Sequence, residues 1–485
     1  MFYNNIKLQF ANNTFKQIKQ LFLSKNAVED SYTQQYLDTE DLKLSQNHIF
    51  ISLDQDQNFL RIEIPQHHFY KQLENFQKNE NIADFLLENK HILSHKKIHK
   101  LLSSSLKDSQ APLISFIKIN QKIFKYIHIE DNLEIEVSLI NSKSKIHNKN
   151  REINQLEFSH KKGEYQDFIQ YVQSWLENYP IYFCQLSAIQ QFTVGNYPDH
   201  CYPIQYQKAI KLDQKYTAHH AMQLMLQNTL QHLTTNLSAL TTNQFTPDHI
   251  HQTRVAIRRM RSALQSFKDW SQTIDPNWKI KLADLFKHLG TTRDLDVIRD
   301  QLIPQMELAG SPPIQLPQTQ DSDHSIHLIM QDKATTQLLL EILAFSYQID
   351  DSHIDSSKNI KKLATKQIEH LHNLVCKNAA IFNQLEVEKR HEIRKKIKRL
   401  RYSLEFTATL FDPKEVSSYI KNLKPAQETL GHYNDLCVAE SLFKTNVEQD
   451  STLWFALGWI ASEQQHTINQ AQKDLENLAK HKFNP

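Results

Sequence analysis

The chain carries the same basic, apolar-spaced segment twice, 140 residues apart. The first copy, HQTRVAIRRMRSAL, begins at His251, and the second, HEIRKKIKRLRYSLEF, begins at His391. A shorter motif follows each copy: LGTTRDLDV begins at Leu289 and LGHYNDLCV begins at Leu430. Two motifs that recur in the same order indicate two homologous halves, and their periodicity predicts that both halves are helical.

In each copy, four basic residues share one face of the predicted helix. Their offsets of 0, 3, 7 and 10 residues, at ~100° per residue, fall within an arc of roughly 80° and span about 15 Å. The first row comprises His251, Arg254, Arg258 and Arg261, and the second comprises His391, Arg394, Lys398 and Arg401. Arg259 and Arg399 also align, but they point away from the rows.

A solvated helix face is the common interpretation of a run of charges. Such a face usually alternates signs, with Glu four residues before Lys or Arg, but the row from His251 to Arg261 contains no acid. Four like charges on one face repel each other, and both halves repeat that repulsion at the same spacing. We therefore expect a bound anion to relieve it. Arg suits phosphate because its planar fork donates two hydrogen bonds at once, and two facing rows would line a channel for a linear polyanion.

The motif that follows each row has two interpretations. In the first, which we favour slightly, Gly290 and Gly431 end one helix, while Asp294 and Asn434 or Asp435 cap the next. In the second, the two aspartates hold the basic side chains in place. Both can be true together.

The first ~205 residues mix short alternating runs with helical ones. FISLDQ, NFLRIEIP, FIKI, FKYIHIE and LEIEVSLI are rich in Ile, Val and Phe, and they predict strands. FKQIKQLFL, FYKQLENFQ and YQDFIQYVQSWLENY predict helices, and the polar segment NSKSKIHNKNREINQ predicts a flexible loop between two strands. Residues 1–200 are therefore expected to form an α+β domain with a mainly antiparallel sheet.

Breaker-rich segments divide the rest of the chain. GNYPDHCYP, from Gly195 to Pro203, marks the end of the α+β domain, after which strand signals vanish. AGSPPIQLPQTQDSDHS, from Ala309 to Ser325, predicts a mobile loop between two helical halves of about 205–305 and 325–480. An all-α domain is expected over residues 205–480.

Composition disfavours several classes of function. A formal net charge of +2 over 485 residues gives no global attraction to nucleic acid. Only 6 glycines occur, and no Walker or dinucleotide fingerprint is present, which disfavours a glycine-rich phosphate loop. The four cysteines are scattered, so neither a disulfide framework nor a zinc site is indicated. No signal peptide or membrane span is evident, which predicts a soluble cytoplasmic protein.

The duplicated motifs resemble the CHAD family, the conserved histidine α-helical domain. The four segments occur in order, with the expected duplication, across roughly residues 205–480. The resemblance implies two pseudo-symmetric four-helix halves. It also implies that inorganic polyphosphate binds along a basic groove and that the protein associates with polyphosphate granules.

The first domain is similar to CYTH, an antiparallel triphosphate tunnel fold that often precedes CHAD. IKLQF, QQYLDTEDLKLSQNHIFISL and SAIQQF carry this resemblance. An active member begins with E-x-E-x-K, whose positions fall on Asn5, Lys7 and Gln9, and its next arginines fall on Ile51 and Leu53. Triphosphate hydrolysis in such a tunnel needs carboxylates to hold a divalent metal and cations to grip phosphate.

Other positions of that family are also altered. Its late Ser-Lys pair falls on Ser187 and Ala188, and only Glu157 remains of the acidic positions near NQLEFSH. Because several essential positions are lost together, we expect a degenerate tunnel or barrel that serves as a scaffold, with no catalytic residues and no metal or cofactor.

The leading hypothesis is therefore a non-enzymatic protein that binds polyphosphate through the two rows. Further donors would come from neighbouring basic residues: Arg259, Arg293, Lys395, Lys396 and Arg399. A metal-dependent inorganic triphosphatase is the enzymatic alternative, and release of phosphate from tripolyphosphate would support it. A nucleic-acid-binding protein is the third hypothesis, but aromatic residues are not interleaved in the rows as a stacking platform requires.

Overall fold

A computed structural model describes most of the chain: residues 4–54, 59–65, 69–73, 83, 85–86, 96–106, 112–146, 148–290, 295, 297–316, 322–348 and 359–483. The chain divides into two compact units. Unit one comprises residues 1–205, 234–249 and 330–340, and unit two comprises residues 206–233, 250–329 and 341–485. The first division, at residue 205, lies two residues after the breaker cluster that ends at Pro203.

Unit one is built on an antiparallel sheet, as the sequence predicts. The described strands are β1 Asn5–Phe10, β2 Val28–Asp38, β3 Phe50–Asp54, β4 Leu60–Ile64, β5 Phe69–Leu73, β6 Ile114–Glu130, β7 Leu133–Ile146, β8 Lys149–Lys162 and β9 Tyr182–Phe183. Their spatial order is β5-β4-β3-β2-β6-β7-β8-β1-β9, and each neighbouring pair is antiparallel. The helices of this part are α1 Asn12–Ser24, α2 Lys43–Gln46, α3 Lys96–Leu106, α4 Tyr165–Asn178 and α5 Ala188–Val194.

Aromatic side chains fix α1 and α4 against the sheet. Both helices are amphipathic; α1 buries about one residue per turn, and α4 buries a broader stripe of six residues. The Phe22 ring of α1 and the Trp175 ring of α4 lie 6.2 Å apart, and Trp175 meets Phe158 of β8 edge-on at 5.4 Å. Each fully buried aromatic ring of this kind contributes on the order of 2–3 kcal/mol.

Charged side chains on strands near the two ends of the sheet influence each other. Lys7 lies on β1 and Glu63 lies on β4, near opposite ends of the strand order. The pKa of Lys7 is nevertheless raised by Glu157 and also by Glu63. Burial raises the pKa of Glu63, and the charge of Lys7 opposes that rise. Because such interactions weaken with distance, β1 and β4 bring these two side chains near each other.

The helix predicted for FYKQLENFQ is wrong over its described part. Phe69–Leu73 forms β5, which pairs with β4 so that Phe69 lies opposite Ile64 and Leu73 opposite Leu60. The four-residue spacing of Phe69 and Leu73 suits a helix, but the hydrogen bonds offered by β4 favour an extended chain. Gln77, the last residue of the predicted helix, lies outside the described residues.

The loop predicted for NSKSKIHNKNREINQ is also wrong. β7 continues to Ile146 and β8 begins at Lys149, so the segment is the tight end of a long hairpin, with Asn148 in the left-handed region at φ 61°. Several of its polar residues are buried and do not face solvent. Asn141 and Asn154 are buried, and the Asn141 amide donates to the Asn154 side-chain oxygen at 2.6 Å. A polar interior therefore hides the alternation that identifies other strands.

The described part of unit two contains helices and no strand, which confirms the predicted change after residue 205. The helices that lie wholly or partly in it are α6 Ala218–Thr241, α7 Pro247–Ser266, α8 Asn277–His288, α9 Ile303–Leu308, α10 Ser322–Met330, α11 Lys333–Tyr347, α12 Ile360–Cys376, α13 Val387–Thr407, α14 Pro413–Asn446 and α15 Leu453–Ala479. One core cluster joins α14 and α15 to a π-helical turn at Ile298–Leu302, with Phe443 and Ile460 fully buried.

The helix end predicted at Gly431 is wrong, whereas the one at Gly290 is close. α8 ends at His288, two residues before Gly290. α14, however, runs through Gly431 for a further four turns, because Leu430 and Leu436 on either side of the glycine are fully buried. Asp435 therefore lies inside a helix and caps none.

Candidate anion-binding site

Three arginines of the first row converge on one aromatic ring. α7 carries Arg254, Arg258 and Arg261, and their guanidinium carbons lie 4.7, 5.7 and 6.0 Å from the ring centre of Phe286 on α8. A single ring can be reached by all three only if they share one face, so the predicted row geometry holds for these residues. The negative face of the ring attracts cations and partly offsets their mutual repulsion.

Arg254 is the most firmly fixed member of the first row. Its side chain is buried, and Nη1 donates to the Leu289 carbonyl at the start of the first short motif. His251, Arg258 and Arg261 are half-buried. Burial and the charge of Arg258 lower the pKa of Arg261. The first row is thus held in place before any ligand binds.

The second row lies on α13 and is more open. His391 is exposed, and Arg394 and Lys398 are half-buried. Burial lowers the pKa of His391, and so do the charges of Lys395 and Arg394. Arg401, the last member, donates from Nε to Glu405 at 2.8 Å, so its charge is already balanced.

Lys398 is the residue of the second row on which charges of the first row act. Burial is the largest cause that lowers the pKa of Lys398 to about 6; the charges of Arg258, Arg394 and Arg254 contribute, in that order, whereas Asp435 opposes the change. Arg254 and Arg258 belong to the first row and Arg394 to the second, so this amine experiences positive charge from both halves. Asp435 is in the place that the second interpretation of its motif expects, beside a basic side chain. Asp294 lies outside the described residues.

The other predicted donors are not brought into this cluster. Arg259 is 3% exposed, donates to the Asn228 side-chain oxygen at 3.0 Å and lies over the Phe406 ring. Burial lowers the pKa of Arg399, which is half-buried on another face of α13. Lys395 is exposed, and Lys396 lies 4.0 Å from Glu392. Arg293 lies outside the described residues.

Sequence reasoning missed two residues that shape the site. Phe286 positions three arginines, and its signal was its place three residues before the first short motif. Arg390 directly precedes His391 and donates to the Tyr433 hydroxyl at 3.1 Å and to the Asn383 carbonyl at 2.9 Å. Neither residue is repeated in the other half: Gln427 stands where Phe286 would recur relative to the short motif, and Ile250 stands where Arg390 would recur relative to the row, so the duplication could not reveal them.

In unit one, the half-buried charges on β1 and β8 are paired with each other. The Asn5 amide donates to Glu157 at 3.1 Å, and Lys7 lies 3.8 Å from the other oxygen of that carboxylate. Gln9 accepts from Gln191 at 2.8 Å, and Ile51 is fully buried in an apolar cluster. Within the described residues, no group of three or more His, Cys, Asp or Glu side chains could hold a metal ion.

Comparison with known proteins identifies the helical part. The family model described as the CHAD domain matches residues 224–444, which include both rows and both short motifs. Residues 224–444 form a CHAD domain. This confirms the resemblance carried by the duplicated motifs. None of the curated proteins matched the chain.

Two solved structures are similar to parts of the chain. The CHAD domain from the plant Ricinus communis is 24% identical, with a TM-score of 0.49, and the match covers 58% of this chain and 98% of that one. A Bacillus halodurans protein with the provisional name adenylate cyclase is 18% identical, with a TM-score of 0.25, and the match covers 39% of this chain and 95% of that one. No described helix is both long enough and apolar enough to span a bilayer.

Proposed function

We propose that the CHAD domain of this chain binds inorganic polyphosphate through the two facing rows. The observation that carries the proposal is the convergence of Arg254, Arg258 and Arg394 around Lys398, whose pKa they help to lower to about 6. Like charges that are partly buried together destabilise the free protein, and a bound polyanion would relieve that repulsion.

The chemistry of the rows suits a phosphate chain. Arginine donates in pairs to phosphate oxygens, and here three guanidinium groups are oriented by one ring before the ligand arrives. Pre-orientation lowers the entropy lost on binding. Each row spans about 15 Å along its helix, so a linear polyanion can contact several cations at once, whereas a single phosphate cannot.

Binding of long-chain polyphosphate at about 50 and 200 mM salt tests the proposal. We expect affinity to fall steeply with salt, because bound cations replace condensed counterions on the polymer. Arg258→Gln and Lys398→Met should each lower affinity by roughly 10-fold and flatten the salt dependence by about one counterion. Lys389→Gln, an exposed residue of α13 that lies beside Glu392, is the matched control. Equal binding by all four proteins would overturn the proposal.

We infer that unit one is a non-catalytic scaffold of CYTH type. Its support is that the half-buried Lys7 interacts electrostatically with both Glu63 and Glu157, whereas hydrolysis would need free carboxylates for a divalent metal. Incubation of the full chain with tripolyphosphate and Mg²⁺ or Mn²⁺ should release no phosphate. Metal-dependent release would contradict this inference. Residence on polyphosphate granules follows from the proposed ligand and is tested by imaging the tagged chain in cells that accumulate polyphosphate.

A further inference from the structure

A pocket of about 600 Å³ opens between α13 and α14 in unit two. Its volume lies within the range of small-molecule sites. Its walls combine cationic side chains with an apolar surface. A wholly inorganic ligand explains the cationic side chains but not the apolar surface. A phosphate chain has no carbon with which to contact valine or leucine, so the apolar wall needs a separate account.

α13 contributes a stripe that changes character along its length. Val387, His391 and Arg394 line the pocket, and Lys398 continues the same face at offsets of 0, 4, 7 and 11 residues. The stripe is thus apolar at Val387 and cationic toward Lys398, over about 16 Å. It joins the pocket to the point where the two basic rows meet.

α14 contributes the opposite wall. Val438 and Leu442 supply apolar surface, while Asn434 and Ser441 supply an amide and a hydroxyl that can donate and accept hydrogen bonds. These residues recur at spacings of three and four, so they share one face of α14. The wall therefore suits a body that is apolar on its faces and polar at its edges.

A fixed cation stands at this pocket. Arg390 lines it, and its guanidinium is held by the Tyr433 hydroxyl and by the Phe382 and Asn383 carbonyls. The acceptors are neutral, so the charge of Arg390 stays uncompensated by these partners. Glu388 also lines the pocket and is exposed.

We propose that this pocket binds the nucleoside part of a nucleoside polyphosphate. The base would contact Val438 and Leu442, its edge would hydrogen-bond with Asn434 or Ser441, and the phosphates would lie along His391, Arg394 and Lys398. The inference rests on the proposed function for the phosphate-binding row and extends it to organic phosphates.

Calorimetric titration of the full chain with ATP and with tripolyphosphate tests it. Tripolyphosphate carries more charge and lacks the nucleoside, so electrostatics alone would favour it. We expect ATP to bind about 10-fold more tightly, which corresponds to about 1.4 kcal/mol from nucleoside contacts. Ser441→Phe fills the pocket from an exposed position and should lower ATP affinity to the level of tripolyphosphate, with tripolyphosphate binding unchanged.

Two further variants keep the test decisive. Val438→Trp fills the pocket from α14 at a second position, and Ser417→Phe places the same bulk on an exposed part of that helix away from the pocket. ATP that binds no more tightly than tripolyphosphate, or a Ser441→Phe variant that loses both ligands equally, would overturn the inference. Failure of the proposed function is distinct, because long-chain polyphosphate would then show no salt-sensitive binding whatever ATP does.

Discussion

Lys398 and Phe286 show how single residues govern this site. Lys398 is a half-buried amine among arginines, and its pKa of about 6 leaves it mostly neutral at pH 7. Phe286 holds the first row through its ring face. The Phe286 ring is in place before a ligand binds, whereas the Lys398 amine can still change its charge. We therefore expect the two residues to respond differently to ligand binding.

Polyphosphate binding should be coupled to proton uptake at Lys398. A bound anion stabilises the charged amine and raises its pKa, so a proton is taken up wherever the pH lies between the free and bound values. Affinity should therefore fall as pH rises above about 6. Calorimetry at pH 8 in two buffers of different ionisation enthalpy measures the uptake. Lys398→Met should lose the part of the proton uptake that comes from Lys398. Identical proton uptake by the variant and the wild type would contradict the assignment of that uptake to Lys398.

Phe286→Leu should loosen the first row while an apolar side chain still fills the position. Exposed to partly buried cation–π contacts contribute about 0.5–1 kcal/mol each, so loss of part of three such contacts predicts a fall in polyphosphate affinity of roughly 5–10-fold. Phe286→Tyr keeps the ring and is the control. An affinity of Phe286→Leu within two-fold of wild type would show that the ring does not orient the row.

At the scale of elements, α14 is the clearest departure from the duplication. It is 34 residues long and contains both Pro425 and Gly431, residues that disfavour a helix interior. Buried contacts from Leu423, Leu430 and Leu436 keep it continuous. The first half instead breaks near Gly290, so homologous motifs are placed differently in the two halves.

Gly431→Ala should stabilise the protein by about 0.5–1 kcal/mol. Alanine reduces the backbone freedom of the unfolded chain, and a Cβ at position 431 would meet no atom within 4 Å. Gly458→Ala in α15 also has open space and should behave alike. Urea unfolding measures both. A destabilised Gly431→Ala would indicate that the backbone is not helical there, as the predicted helix end required.

Sequence patterns predicted the elements whose local signal agrees with their surroundings. β3, β4, β6 and β7 follow from Ile- and Val-rich alternation, and the Arg254, Arg258 and Arg261 face follows from helical spacing alone. Errors arose where a distant partner decided the outcome. β5 depends on β4, the β7–β8 hairpin buries its asparagines, and Phe286 reaches the row from another helix. The influence of the first row on Lys398 is likewise a tertiary property.

On the scale of the whole molecule, acid affects a different property in each unit: stability in unit one and anion binding in unit two. In unit one, His48 and His249 have pKa values of about 4, because burial disfavours their charged forms. His200 lies in the same region, 2.9 Å from the Ser45 hydroxyl. In unit two, acid protonates Lys398 and His391 and adds to the positive row. Lower pH should therefore strengthen anion binding while it weakens the sheet unit.

His48→Asn should reduce the acid sensitivity of unit one. The folded pKa of about 4 lies below the ordinary value of 6.5, so the unfolded chain binds more protons between these values and stability falls as pH drops through that window. The loss is up to about 3 kcal/mol. Asparagine accepts the positive φ of 56° at this position. Urea unfolding at pH 7 and pH 4.5 measures the difference, with exposed His220→Asn as control. If the wild type and His48→Asn lost the same free energy of unfolding between pH 7 and pH 4.5, the role of His48 would be contradicted.

The repetition of the basic row also affects the direction in which a polymeric ligand can bind. Inorganic polyphosphate has no direction, because its repeating unit reads identically from either end. Two copies of one row, His251 to Arg261 and His391 to Arg401, present such a polymer with similar contacts whichever terminus arrives first. The pocket beside the second row has no counterpart in the repeated spacing, since Arg390 and Val387 are matched by Ile250 and Pro247. A chain that ends in a nucleoside would therefore be bound in one orientation, and a plain phosphate chain in two.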